Sequence, residues 1–223
     1  MKRIPIRDRE LPNYTRAEEL VNMGTHIFGV FFGVAVLVLG IVISAGHRDP
    51  WAIVGSAIYG FSMINLFTIS SVYHGMRPCT GKKVMQAIDH CAIYLLIAGS
   101  YTPILLAAIR PMYPFLAWGV FGAEWCLAAL AVTLTAIDLK KYARFSMICY
   151  LGMGWLIVMA LKPTAEALTR PGMLWLLYGG IAYTLGAALY GLGKKRRYLH
   201  AVFHVFVDLG CVLHAVCILR YVL

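Results

Sequence analysis

The sequence predicts an all-α, polytopic membrane protein: a bundle of seven transmembrane helices with a cytoplasmic N-terminus and a C-terminus outside. Three observations predict it. Of 223 residues, 61% are hydrophobic and only 13% charged, and the mean hydropathy is +0.74, a balance foreign to soluble domains of this size. Seven apolar stretches each approach or exceed the roughly 20 residues that a spanning helix needs. The basic residues fall alternately on one side of those stretches and then the other in very unequal numbers.

Residues 1–16 form a polar, basic, Pro-containing cytoplasmic segment whose first few residues are expected to be loose. The membrane domain takes up 17–223. Glu18 and Glu19 open an amphipathic start to the first helix, continued by Asn22 and His26, with the apolar run over about 22–45. That run is too long, and followed by too many others, to be a cleaved signal peptide. Pro50 precedes the second helix (51–74), which Arg77-Pro78 and Gly81 end. The third (87–109) contains Pro103, which should kink it, a feature that membrane helices tolerate. Pro111 and Pro114 turn the chain into the fourth (112–137), and the fifth follows at 143–161. Lys162-Pro163 and Arg170-Pro171 bracket the next loop. The sixth helix (172–192) carries Gly179, Gly180, Gly186 and Gly191, as expected where helices approach closely. The seventh runs over 199–221.

Fifteen of the twenty Lys and Arg residues precede the first helix (Lys2, Arg3, Arg7, Arg9, Arg16) or lie in alternate loops: Arg77, Lys82 and Lys83; Lys140, Lys141 and Arg144; Lys194, Lys195, Arg196 and Arg197. The other side holds Arg48, Arg110, Lys162, Arg170 and Arg220. The positive-inside rule then sets the orientation, and the basic loops should face anionic lipid headgroups. This placement, not nucleic-acid binding, accounts for the net charge of +10. The six cysteines include no C-x-x-C pair, and Cys79 falls in a cytoplasmic loop where thiols stay reduced, so no disulfides are expected. The expected location is a plasma membrane, crossed several times.

Ionisable groups in spanning helices are costly and mark function by default. The topology brings several to one depth. His74 ends the second helix, Asp89 lies about two turns beyond Lys83 in the third, and His200 and His204 occupy the first two turns of the seventh. His26 falls in the same leaflet. A lone histidine near a helix end is ordinarily an interfacial or core hydrogen-bonding residue. However, His200 and His204 are i and i+4 on one face and can grip one ion. A third histidine from another helix would complete an open zinc site, where zinc lowers the pKa of water to about 7. Asp89 would then act as general base beside it. Ser70, one turn deeper than His74, would hydrogen-bond a substrate carbonyl or its oxyanion.

Other polar residues read less sharply. His90 points about 100° from Asp89 and suits a supporting role. Asp208 either orients a ligand histidine or is solvated in a cavity, and His214 lies about 15 Å beyond His204, too far for the same ion. Glu124, at the middle of the fourth helix, must be protonated, paired or in a wet cavity.

Glu18-Glu19 with Asn22 and Thr25-His26, Ser70-Ser71-Val72-Tyr73-His74, the run from Asp89 through Pro103, Gly152-Met153-Gly154-Trp155 and His200-Ala201-Val202-Phe203-His204 together resemble the bacterial hemolysin III family. That family belongs with the adiponectin-receptor and progestin-receptor (PAQR) proteins and, more distantly, the alkaline ceramidases. The resemblance implies an intramembrane zinc near the cytoplasmic face, held by His74, His200 and His204. It also implies Asp89 as partner of the zinc-bound water and Ser70 as the nearby hydroxyl. Asp208 and Glu124 fall outside the family's pattern. The implied activity is zinc-dependent hydrolysis of a ceramide-like lipid amide. The membrane lipids would be the partners, with a fatty acid or acyl lipid in the bundle cavity. Three other functions stand beside it: a non-enzymatic sensor of membrane state with structural zinc, a pore-forming cytolysin as the family name suggests, and proton or ion movement through Glu124, Asp208 and His214.

Overall fold

Apolar runs bounded by proline, glycine and capping residues become helices at each of the seven places that the sequence marks. A computed structural model describes residues 5–193 and 196–223. Its helices are α1 (Arg16–Gly46), α2 (Pro50–Gly75), α3 (Thr80–Pro103), α4 (Pro114–Ile137), α5 (Ala143–Gly154), α6 (Leu161–Ala167), α7 (Arg170–Gly193) and α8 (Leu199–Cys217). π-Helical turns extend α3 to Ile109 and α8 to Val222, and a 3-10 stretch, Leu156–Ala160, joins α5 to α6. Among the described residues this gives seven spans long and apolar enough to cross a membrane, the fifth made of α5, the 3-10 stretch and α6. Lys2, Arg3, Lys194 and Lys195, four of the fifteen basic residues assigned to one side, lie outside the described residues.

Local chemistry sets the helix starts. Thr15 and Glu18 form a reciprocal capping box on α1, Glu18 N–H donating to Thr15 Oγ1 and Thr15 N–H to Glu18 Oε2. Asp49 accepts from the Trp51 and Ala52 amides ahead of α2, with Pro50 at the first helical position. Pro103, lacking an N–H, cannot continue the α-helical ladder, and residues Ile104–Ile109 wind as π-helix beyond it. The fifth span departs from expectation. It does not end before Lys162-Pro163 but breaks at Trp155 and resumes as α6, where Pro163 sits in a first turn that needs no amide donor. The following loop therefore shrinks to the residues between Ala167 and Arg170.

Packing follows the rule for helices in lipid, where close approach of small residues replaces hydrophobic drive. A Cβ on Gly55 would lie 2.7 Å from Pro103 Cα, so α2 and the end of α3 touch backbone to backbone. The third span is the innermost: 72% of its apolar window is buried, against 17–50% for the others. Tyr59, Met63, Phe67, Leu96, Leu105, Ile109 and Ile218 fill the core beside it, while Phe31, Phe61 and Phe115 face outward.

Alternating helix direction gathers the start of α1, the end of α2 and the starts of α3, α5 and α8 at one end of the bundle, here called the basal end. Residues 5–15 pack across it. Arg9 is buried and donates to the Ile137 carbonyl at 3.1 Å, Lys83 Nζ donates to the Arg7 carbonyl at 2.6 Å, and Lys140 pairs with Glu10 at 3.4 Å. At the entry to α8, Tyr198 adopts a left-handed conformation and gives its N–H to Glu18 Oε1 at 2.9 Å, fixing α8 against α1.

Candidate metal centre

The basal end brings together His74 from the last turn of α2 and His200 and His204 from the first turns of α8. One nitrogen of each lies within 4.8 Å of the other two, and His200 Nε2 and His204 Nε2 are 3.1 Å apart. His74 and His204 are buried. Their remaining nitrogens are fixed by α1. His74 Nδ1 donates to Glu19 Oε2 at 2.6 Å, and His204 Nδ1 donates to the Asn22 carbonyl at 3.2 Å. An N–H committed at Nδ1 leaves the Nε2 lone pair turned inward, the arrangement by which outer partners orient metal-binding imidazoles.

The donor set fits zinc. His74 Nε2 is buried and has no hydrogen-bond partner among the described residues. Tetrahedral zinc holds nitrogens at about 2.0–2.1 Å and hence roughly 3.3 Å from one another, close to the His200–His204 separation. Three imidazoles, two of them donating outward to an oxygen acceptor, suit an open, hydrolytic type of site.

Glu19 carries more than His74. Its Oε1 accepts from Lys82 Nζ at 2.5 Å, and Lys82 also donates to the Met76 carbonyl at 3.0 Å. Lys82, assigned by sequence to a headgroup-facing loop, is instead 2% exposed. The helix α3 begins at Thr80, so Lys82 belongs to its first turn and points inward at a carboxylate; a count of charges carries no side-chain direction. Two aromatic contacts complete the shell. His26 stacks on His204 with centroids 3.8 Å apart but stays outside the ligand trio. Tyr14 stacks on His200 at 5.1 Å, and burial holds its phenol well above the usual range, so it stays neutral there.

Ser70 and Asp89 stand beside the trio. Ser70 is buried and lines with Asp89 the same cavity as His200 and His204. The other polar residues sort differently. His90 lines the cavity near Asp89, its carbonyl accepting from Tyr150 Oη at 2.9 Å. Among the described residues Asp208 hydrogen-bonds none of the three histidines; Glu19 and the Asn22 carbonyl hold His74 and His204. His214 Nε2 donates to the Leu176 carbonyl, away from the trio. Glu124 is fully buried, with neither carboxylate oxygen partnered among the described residues.

Glu19, Lys82 and Tyr14 are the residues whose roles sequence reasoning missed. A signal for the first was present: Glu19, Asn22 and His26 recur at i, i+3 and i+7, a polar stripe on one face of an otherwise apolar helix.

Two cavities meet at the trio. One is apolar and runs from Ser70, Asp89 and His200 past Tyr183 and Trp155 to His214, about 21 Å of helix rise between the two histidines. The other is a polar vestibule of about 840 Å³ under the basal end, lined by Tyr14, Glu18, Arg144 and Arg197 among others. His90, Met147, Tyr150, Tyr190 and His200 line both.

Residues 14–215 match the Haemolysin-III related family. Hemolysin-3 of Bacillus cereus is 37% identical over 206 residues, 92% of each chain. The Hemolysin-3 homolog of Bacillus subtilis (strain 168) is 36% identical over 208 residues, 93% of this chain and 96% of the relative. More distantly, the Monocyte to macrophage differentiation factor of Homo sapiens is 27% identical over 230 residues, covering 98% of this chain and 90% of its own.

Proposed function

The chain belongs to the haemolysin-III-related family of multi-pass membrane proteins, and on that premise we propose that it is a zinc-dependent hydrolase of a lipid amide. His74, His200 and His204 hold the metal, Asp89 is the general base and Ser70 steadies the substrate carbonyl. In this reading the basal end faces the cytoplasm, which the fifteen-to-five excess of basic residues supports, and the substrate enters from the inner leaflet.

One observation carries this reading: an apolar tunnel and a polar vestibule share His200 as a wall. An amphiphile with its acyl chain in the first and its polar end in the second sets the bond between them beside the trio, Asp89 and Ser70. Zinc bound there supplies Lewis acidity and a water whose pKa lies near 7. Asp89 takes the proton of the attacking water and returns it to the departing amine nitrogen as the C–N bond breaks, leaving a fatty acid and an amine. Ser70 donates to the carbonyl oxygen as charge builds there. Glu19 and the Asn22 carbonyl keep the imidazoles oriented throughout. The test is fatty-acid release by the purified protein from a panel of N-acyl and ester lipids, with zinc content measured on the same sample. A zinc-loaded preparation that releases nothing sinks the reading.

A second reading has its own support. The Glu19–His74 and Glu19–Lys82 pairs tie α1 to α2 and α3, so the centre also clamps the bundle and suits a sensor of membrane state in which zinc is structural. There, chelation would lower the unfolding temperature of a protein that shows no turnover.

A further inference from the structure

The positive-inside rule asks only that basic residues lie on one side of the membrane, anywhere around the perimeter. It does not ask that they line a cavity next to the metal centre. Arg16, Arg77, Lys83 and Lys141 do not, although they share the basal end. Arg144, at the start of α5, and Arg196 and Arg197, ahead of α8, do, together with Arg9 and Lys140. The acidic residues lining the vestibule are Glu10 and Glu18, and both are engaged. Glu10 pairs with Lys140 at 3.4 Å, and Glu18 accepts from the Thr15 and Tyr198 amides. Arg9 is turned to the Ile137 carbonyl. Arg144, Arg196 and Arg197 form no direct ion pair with a carboxylate among the described residues, although Arg197 attracts the Glu18 carboxylate at longer range, and all three are exposed to the vestibule's solvent. Three guanidiniums from two separate stretches of chain therefore border the space in which the polar end of a bound amphiphile must sit.

We propose that the substrate of this site is an acyl lipid with an anionic polar end, of the phosphate-ester class, seated against Arg144, Arg196 and Arg197 while its acyl chain fills the tunnel toward His214. This rests on the hydrolase reading for the identity of the bond cleaved, but not for the binding itself. Guanidinium forks match phosphate oxygens in pairs, and such charge-assisted contacts are among the stronger hydrogen bonds. The vestibule supplies them in the cavity that His200 also lines. Beyond the end that Ser70, Asp89 and the histidines line, the tunnel contributes affinity but no charge selection, since its walls there carry no Asp, Glu, Lys or Arg among the described residues. Headgroup charge, not chain length, then decides which lipids bind.

The experiment uses the full chain in phosphatidylcholine nanodiscs and two amphiphiles that carry no cleavable amide, dodecyl phosphate and dodecanol, with binding followed by quenching of intrinsic tryptophan fluorescence. Dodecyl phosphate is expected to bind roughly tenfold tighter or more, with the advantage shrinking as salt rises. The double variant R144Q/R197Q should erase most of that advantage, and R196Q should erase part of it. R77Q, which changes a basal charge outside the vestibule, should leave it intact. Equal binding of the two amphiphiles overturns the proposal, as does equal loss in R77Q, which would reduce the effect to diffuse surface charge. Inorganic phosphate at millimolar concentration should not compete; if it displaces dodecyl phosphate, the site serves a free anion and the lipid assignment is wrong. Because neither amphiphile is hydrolysed, failure to release fatty acid from amide lipids leaves this test standing, and failure of this test leaves the chemistry at the trio standing.

Discussion

Of the buried polar groups in this bundle, those at the basal end and the one in the middle of α4 are built differently. At the basal end, His74, His204, Glu19 and Lys82 are each held by a partner on another helix or on neighbouring backbone, while the inward-facing nitrogens converge. In the middle of α4, Glu124 is equally buried, yet its two oxygens meet nothing among the described residues. A site is marked by groups whose outer atoms are satisfied and whose inner atoms agree on one point. Burial alone marks only expense.

The comparison can be broken or sharpened in steps. Replacing a member of the trio should have the largest effect: His200→Ala or His74→Ala is expected to bring fatty-acid release to background and zinc below one per chain, read by elemental analysis. If full zinc and turnover survive, the convergence means nothing. Asp89→Asn keeps the shape but removes the base, and should slow release by about 10²–10⁴-fold with zinc retained. A parallel loss of metal would make Asp89 a ligand instead. Glu19→Gln removes the carboxylate behind His74, and metal affinity should fall by about 10–100-fold in competition with a chelator. Gly55→Ala probes the packing that places α2 beside α3. Its Cβ would crowd the Pro103 backbone, with an expected destabilisation of about 1–3 kcal/mol in a thermal or denaturant titration. Glu124→Gln should have the smallest effect, leaving zinc content and release unchanged; a large loss would show that the solitary carboxylate belongs to the chemistry after all.

Much of the fold was legible in the chain because hydropathy over about 20 residues is a local property. The seven apolar runs, the caps at Thr15 and Asp49 and the disturbance at Pro103 all act within a few residues of themselves. The fifth span was misjudged where a local rule conflicts with context. Lys162-Pro163 reads as a terminator, but a proline in the first turn of a resumed helix is harmless. The trio was legible too, because consecutive spans alternate in direction, and direction with 1.5 Å of rise per residue sets each histidine's level.

Azimuth is another matter. Which way a side chain turns around its helix, and what it meets there, depends on how the neighbours pack. The sequence alone determined seven helices, their alternation, and that His74, His200 and His204 share one level. Only the tertiary structure decided that Lys82 faces Glu19 instead of water, that Asn22 and Glu19 rather than Asp208 hold the imidazoles, and that two cavities meet at His200. Depth along a helix follows from covalent geometry, whereas rotation about it is settled by contacts between residues distant in the chain.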